Sequence, residues 1–391
     1  MKNIYITAST RTPLGSFQGG FSSLSAPQLG AAAIKSSLEK STLKDTQIDE
    51  VYLGNVVSAG LGQAPARQAA LQAGLSNSIP CTTVSKVCGS GMKAVMLAAD
   101  SIQSGHIDVA IAGGMESMSN APYLLEKARH GHRLGHQVTK DSLFLDGLED
   151  AETGRSMGSF GQKTADRFDV SREAMDDYAL ESLSRAQHAT AEGFFKDEIT
   201  PVTVTNRKGE TTISEDEQLA SAKPEKIRSL KPAFTKDGTL TAANSSSISD
   251  GASSMLVLSE EALETHNIQP EAKICAYASY ARLPEEFTLA PIGAIQKVLD
   301  TAGWTIDDVD LFEINEAFAV VVIQAMNELG LDHTKVNIHG GACAIGHPLG
   351  ASGARIIATL IHALKRLNKT KGIASLCIGG GEATAIAIEL T

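Results

Sequence analysis

Apolar and polar positions along the chain fall into one pattern written twice. "IDEVYLGNVV" (48–57) is echoed by "IDDVDLFEIN" (306–315), each reading as a turn that feeds a buried strand. "CGSGMKAVMLAADSIQSG" (88–105) is echoed by "GASGARIIATLIHALKR" (350–366), a Gly/Ser-rich start followed by apolar residues at helical spacing. "IDVAIAGG" (107–114) then parallels "GIASLCIGGG" (372–381), a short apolar strand ending in glycines. The second copy continues at once into a further strand, "ATAIAIEL" (383–390). In the first copy the matching strand, "ASSMLVLSE" (252–260), arrives much later. The first copy is therefore interrupted by an insertion from about Met115 to Asp250.

The insertion is more polar, with turn-rich stretches such as "ARHGHRLGHQVTKDS". One helical pattern runs through residues 171–193, with Ser171 as N-cap and Gly193 as the stop. Strands alternating with helices predict mixed or parallel sheets covered by helices. The expected division is 1–118 plus 251–270 for the first half, 119–250 for the insertion and 271–391 for the second half. A chain of 391 residues is long enough for these three units.

Charge and cysteine usage narrow the function. The net charge of −11 argues against a nucleic-acid binder, which needs a basic face. Lys223, Lys226, Arg228 and Lys231 form the one conspicuous basic cluster, read alone as a solvated loop. The five cysteines are odd in number and show no CxxC spacing, against a disulfide framework or zinc site. No segment is apolar for long enough to span a bilayer, and the N-terminus lacks an apolar signal region. A reduced, cytoplasmic compartment is the expectation.

Chemistry concentrates at glycine-lined turns. Cys88, in "SKVCGSGMKAV", is placed at a helix N-terminus, where the dipole and Lys86 are expected to lower its pKa. His347 lies between Gly346 and Pro348, placed to act as a base. Asn315, in "EINEAFAVVV", reads either as an N-cap or as an amide orienting water or an oxyanion. Cys377 ends a strand just before Gly379, Gly380 and Gly381. One Cys with His and Asn suggests acyl transfer through a thioester, and a second Cys suggests a second proton transfer.

With "VCGSGMKAV", "GGMESMSNAP", "NEAFA", "GGACAIGHPLGASGAR" and "LCIGGGEATA" in this order, the chain resembles the thiolase family almost end to end. The resemblance implies an α/β fold of two pseudo-repeated halves in a five-layer αβαβα arrangement with an inserted loop domain. It implies reversible condensation of two acetyl-CoA into acetoacetyl-CoA and CoA, with CoA as substrate and product and no separate cofactor or metal. Cys88 would be the acylated nucleophile, His347 its proton acceptor, and Cys377 the acid/base at the α-carbon. Asn315 would hold a water that stabilises the enolate with His347. The N–H groups of Cys88 and Gly379 would form the acyl oxyanion hole. Met157, Ala233, Phe234, Ser246, Ala317 and Phe318 would line the CoA tunnel, with the basic cluster near the CoA phosphates.

The family further implies a homotetramer formed through the loop holding His130, His132 and His136, and a place in fatty acid metabolism. Ser156, in "RSMGSFGQ", stands where short-chain members carry histidine, while Phe287 falls where their acyl pocket is bounded. The bulk of Phe287 favours a small acyl group, while Ser156 keeps a broader-chain degradative 3-ketoacyl-CoA thiolase as the alternative. A non-catalytic acyl-CoA binder and a ketoacyl-ACP synthase III-like enzyme are further ones. Cys377 speaks against the synthase.

Overall fold

Every residue of Val109–Ser117 and of Ser249–Ser259 is buried, the pattern of strands covered on both faces. The computed structural model, which describes residues 2–207 and 209–391, shows what covers them. The first half supplies β1 (Ile4–Arg11), β2 (Glu50–Gly54), β3 (Cys81–Val84), β4 (Val109–Ser117) and β5 (Ser249–Ser259). The second supplies β6 (Ala272–Ala281), β7 (Leu311–Ile314), β8 (Lys371–Ile378) and β9 (Glu382–Leu390).

The expected repeat is borne out strand by strand. β2 pairs parallel with β4, and β4 pairs antiparallel with β5. In the second copy β7 pairs parallel with β8, and β8 pairs antiparallel with β9. The spatial order is β7-β8-β9-β6-β1-β5-β4-β2-β3, so the two sheets join edge to edge at β6 and β1. That seam is short, pairing Tyr5 with Lys273 and Ile6 with Ala272.

Helices α1 (Ala26–Ser41), α2 (Ser90–Gln103), α3 (Met157–Arg167), α4 (Arg172–Ala191), α5 (Ala290–Ala302), α6 (Ala319–Leu329) and α7 (Leu349–Leu367) complete the layers. α1 covers the outer face of β4 and β5, and α5 covers that of β6 and β9. α2 and α7 pack against each other between the two sheets. Met92 and Val95 of α2 share one core with Ile356 and Leu360 of α7, Met255 of β5 and Leu376 of β8. α7 is buried without exception from Leu349 to Ile361, as a helix with sheets on both sides must be.

The segment between β4 and β5 carries α3 and α4. Ser171 caps α4 by accepting the Ala174 N–H, and Gly193 lies just beyond its end at φ +73°. Fully buried Arg11 ties this segment to β1, reaching Glu198 at 2.5 Å and gripping Asp216 through both terminal nitrogens at 2.7 and 2.9 Å. Two boundaries differ from the sequence reading. β4 runs on to Ser117, because β5 pairs it through Asp250–Ser117. The helix expected to open at Asn315 begins at Ala319, with Phe318 at its N-cap position.

Candidate active site

Cys88 lies in the turn from β3 to α2. Val87, just before it, sits at φ +44°, a left-handed conformation that a β-branched side chain resists. Ser90 Oγ holds the turn closed, accepting the Lys86 N–H at 2.8 Å and donating to the Val87 carbonyl at 2.6 Å. Lys86 Nζ pairs with Glu382 Oε2 at the start of β9. The Cys88 turn is thereby tied to the strand that follows Cys377.

α2 starts at Ser90 with Gly89 as N-cap, so Cys88 lies just outside the helix. Burial pushes its thiol up to about 11, although N–H groups of Gly379 and of Cys88 itself point toward the sulfur and pull the other way. The expected lowering of the Cys88 pKa is therefore corrected. Removing a thiolate from water outweighs what two amides and a helix end return, and the Lys86 charge is spent on Glu382.

His347 enters from the other half. Gly346 before it has φ +107°, and a Cβ there would collide with Ser249 Oγ. The His347 N–H donates to the Ser247 carbonyl at 3.1 Å. Its Nδ1 lies 2.6 Å from Ser352 Oγ, whose hydroxyl donates to the Pro348 carbonyl at 2.9 Å. That hydroxyl, its hydrogen engaged, accepts from Nδ1–H, which leaves Nε2 bare. Burial, then the nearby Arg355 cation, push His347 down to about 3, so the ring is a neutral base.

Glycines bring the two turns together. A Cβ on Gly91 would sit 2.9 Å from the Gly350 carbonyl, and one on Gly353 would collide with the Met92 backbone. The first turns of α2 and α7 therefore cross backbone to backbone. Cys88 and His347 each lie two residues before one of these helices.

Cys377, fully buried, is the penultimate residue of β8. Burial and then the proximity of Cys88 raise its thiol well above the usual range. Both thiols, one from each half, are buried, and the segments that carry them touch where Gly89 meets Ile378. Gly379 lies against Met157, whose Sδ would be 3.4 Å from an added Cβ. Gly381 turns the chain at φ +91° with the Arg282 and Leu283 carbonyls packed where a side chain would be.

Asn315 is not a helix cap. Its N–H donates to the Ser375 carbonyl at 2.9 Å in continuation of the β7–β8 ladder. Its buried side chain places Nδ2 3.4 Å from His347 Nε2 and accepts from Arg355 Nη2 at 3.3 Å. Glu316 beside it is buried and accepts from Tyr178 at 2.8 Å, Ser182 at 2.7 Å and the Cys343 N–H at 2.9 Å.

Among the residues that the resemblance would place in a CoA tunnel, Met157 faces Gly379, and Phe234 and Phe318 lie against Gly158 and Gly161 of α3. Phe318 meets Phe234 edge-on at 5.8 Å and Phe287 at 6.2 Å between ring centroids. Gly158 in α3 leaves room for the Phe234 ring. The Ser246 N–H donates to the Ala317 carbonyl at 2.9 Å, and Ala233 donates to Leu240 at 2.9 Å in the turn that presents Phe234. Lys223 and Lys226 line a cleft of about 460 Å³ with Ser247, Cys343 and Leu230. Among the described residues no group of three His, Cys, Asp or Glu could hold a metal ion, and no helix is long and apolar enough to cross a membrane.

Ser352, Arg355, Glu116 and the strained Val87 escaped the sequence reading. Ser352 and Arg355 stand inside the quoted motif "GASGAR", and their spacing from His347 was the available signal. Glu116 accepts from the N–H groups of Val56, Val57 and Gly350 and from the Asn55 amide, fastening the start of α7 to the first half.

Comparison with known proteins agrees with this architecture. Residues 4–261 match the family model "Thiolase, N-terminal domain", and residues 268–390 match "Thiolase, C-terminal domain". The acetyl-CoA acetyltransferase of Saccharomyces cerevisiae is 47% identical over 394 residues, covering 99% of each chain. That of Escherichia coli is 46% identical over 391 residues, covering 100% of this chain and 99% of its own. A thiolase from Ascaris suum, solved in complex with coenzyme A, has a TM-score of 0.94 at 42% identity over the whole of both chains. The Bacillus anthracis acetyl-CoA acetyltransferase reaches a TM-score of 0.98 at 39% identity, over 100% of this chain and 99% of its own. From both its halves and its fold, the chain belongs to the thiolase family.

Proposed function

We propose that this chain is an acetyl-CoA C-acetyltransferase, condensing two acetyl-CoA to acetoacetyl-CoA and CoA and running the reverse thiolysis. The observation that carries the proposal is the packing of the Cys88 turn on the end of the strand that holds Cys377, Gly89 against Ile378 and Val87 against Gly379, with Lys86 paired to Glu382. One thiol carries an acyl group, and a second can move the α-proton only if it lies beside it. Full-length relatives named acetyl-CoA acetyltransferase support the substrate.

In the first half-reaction the Cys88 sulfur attacks the thioester carbonyl and His347 Nε2 takes its proton. The carbonyl oxygen, as it gains charge, meets the N–H groups of Cys88 and Gly379. CoA leaves as a thiol by taking the proton from His347, and Cys88 holds the acetyl group. In the second half-reaction Cys377 passes its thiol proton to His347 Nε2 and, as the thiolate, removes an α-proton from the next acetyl-CoA. The enolate oxygen is stabilised by His347 together with a water held by Asn315. The carbanion attacks acetyl-Cys88, the C–C bond forms, and the expelled Cys88 thiolate takes the proton back from His347, leaving the α-proton on Cys377.

Met157, Ala233, Phe234, Ser246, Ala317 and Phe318 take the pantetheine arm. Lys223, Lys226, Arg228 and Lys231 are exposed and supply positive charge for the CoA phosphates in an acidic protein. The working division is 1–118 plus 251–270, 119–250 and 271–391. Leu134 and Val138, 94% and 79% exposed on the loop of residues 121–141, favour burial against another copy in a homotetramer. Five free cysteines favour a reducing cytoplasmic setting, and the chemistry suits fatty acid metabolism.

The test is a brief exposure to acetyl-CoA followed by mass analysis, together with kcat/KM for thiolysis across 3-ketoacyl-CoAs of rising chain length. An acetyl adduct on the Cys88 peptide and a sharp preference for acetoacetyl-CoA are expected. No adduct would mean an acyl-CoA binder, and a flat or rising profile would mean a broader degradative thiolase.

A further inference from the structure

We infer that Arg355 is a positioning residue that holds the Asn315 amide with its NH2 group toward His347 and the reacting oxygen. The inference rests on the role proposed above for Asn315. Arg355 lies on the second turn of α7, fully buried, and is not itself at the reacting atoms.

An arginine donates hydrogen bonds and accepts none. Its Nη2 stands 3.3 Å from Asn315 Oδ1, so the amide oxygen must face the guanidinium. The opposite orientation would set NH2 against NH2. Asn315 Nδ2, also only a donor, is then turned to His347 Nε2 at 3.4 Å, which must accept. Nδ1 holds the ring proton and gives it to Ser352 Oγ at 2.6 Å, and Ser352 donates to the Pro348 carbonyl at 2.9 Å. The chain runs one way from Arg355 to Pro348. Both of its ends are fixed, since a guanidinium cannot accept and a carbonyl cannot donate.

Ser352 alone settles the ring's tautomer in the neutral state, but it does not settle the amide. Without Arg355, a flipped Asn315 would present its oxygen to Nε2. That arrangement favours a protonated ring and repels an enolate oxygen. The charged groups around Arg355 are Glu313 on β7, with an oxygen 3.8 Å from Nη1, and at longer range Glu316, Glu198 and Arg11. Arg355 Nε and Nη1 make no hydrogen bond among the described residues, so the Asn315 contact is the one directed bond the guanidinium makes.

The test is a double-mutant cycle on condensation. Arg355→Met is expected to lower kcat on the order of 10²-fold while leaving KM for acetyl-CoA unchanged, because the ground state loses no contact with substrate. In an Asn315→Ala background the same substitution should cost no more than about twofold, since its effect passes through the missing amide. Because Arg355→Met strips a buried carboxylate of its partner, the cycle is repeated as Glu313→Gln/Arg355→Met against Glu313→Gln. Condensation within about twofold of the reference, or an equal loss in both backgrounds, would overturn the inference. If Asn315→Ala alone condenses at the wild-type rate, the proposed role of Asn315 fails instead, which the single variant reveals separately.

Discussion

Gly379 packs against Val87, the residue before Cys88, an added Cβ lying 3.6 Å from Val87 Cγ1, although the two belong to opposite copies of the repeat. The glycine turn after β8 thus lies against the strained turn that carries the Cys88 sulfur. Nearby, the crossing of α2 and α7 also joins the copies, and it is Gly91 and Gly353 that let those backbones touch. Removing the sulfur should remove the covalent step altogether. Cys88→Ser is expected to lose thiolysis by on the order of 10³-fold or more, with no acyl adduct after exposure to acetyl-CoA. A measurable burst of released CoA from this variant would show that another group takes the acyl chain.

Cys377 has a different share. Its thiol is buried beside Cys88 and lies off the hydrogen bonds that hold the Cys88 turn. Cys377→Ala should therefore retain acetylation of Cys88. Condensation should fall on the order of 10²- to 10⁴-fold, the scale of a lost acid/base group. Single-turnover acylation and steady-state condensation, measured on one preparation, separate the two steps. Condensation near the wild-type rate would place the proton transfer elsewhere.

Acidity at the site predicts a pH profile. The Cys88 thiol is pushed up to about 11 and His347 down to about 3, so across neutral pH the empty site holds a thiol and a neutral imidazole. Thiolate is the reactive form, and its fraction grows about tenfold per pH unit below the pKa. Alkylation of Cys88 by iodoacetamide should climb steadily from pH 7 to 10, with no step near the ordinary histidine pKa. A plateau already reached near pH 6 would indicate a thiolate–imidazolium pair.

Much of this was legible in the chain. The repeat in "IDEVYLGNVV" and "IDDVDLFEIN" gave the parallel strands β2 and β7, because buried strands carry their burial in local composition. Ser171 and Gly193 marked α4 because capping is local chemistry. The acidity of Cys88 was not legible, since it depends on a desolvation that only the packing of two halves creates. A helix N-terminus favours a thiolate, but burial disfavours it by more. Asn315 resembles an N-cap in sequence, yet its N–H is taken by Ser375 on a strand sixty positions away. The interlock at Glu116 was hidden for the same reason: its partners Val56 and Gly350 lie far from it along the chain.

Glu116 should matter for stability as much as for activity. Its buried carboxylate accepts three backbone N–H bonds and one from Asn55, and burial raises its pKa to about 7 against those bonds. Glu116→Ala would leave the three backbone donors unpaired in the interior. The cost of unsatisfied buried donors suggests a loss of about 2–4 kcal/mol, read as a lower urea midpoint at unchanged slope. Because Gly350 opens the helix that follows His347, acylation should slow as well. Unchanged stability would mean that water replaces the carboxylate at little cost.

Phe287 offers a test of acyl-chain selection. Its ring is 2% exposed, meets Phe318 at 6.2 Å and shares a core with Met157 and Cys377. If that ring bounds the acyl group, as the thiolase resemblance implies, removing it opens room for a longer chain. Phe287→Ala should raise kcat/KM for a longer 3-ketoacyl-CoA relative to acetoacetyl-CoA by roughly 10-fold or more, the worth of a few methylenes in an apolar pocket. The gain comes with a cavity, so a stability loss of about 3–5 kcal/mol is expected alongside it. Phe287→Leu, which keeps most of the volume, should show both effects in smaller measure. If stability falls while the chain-length ratio stays fixed, Phe287 packs the core without bounding the acyl group. Selection would then lie in the loop that leads through Ser156 into α3.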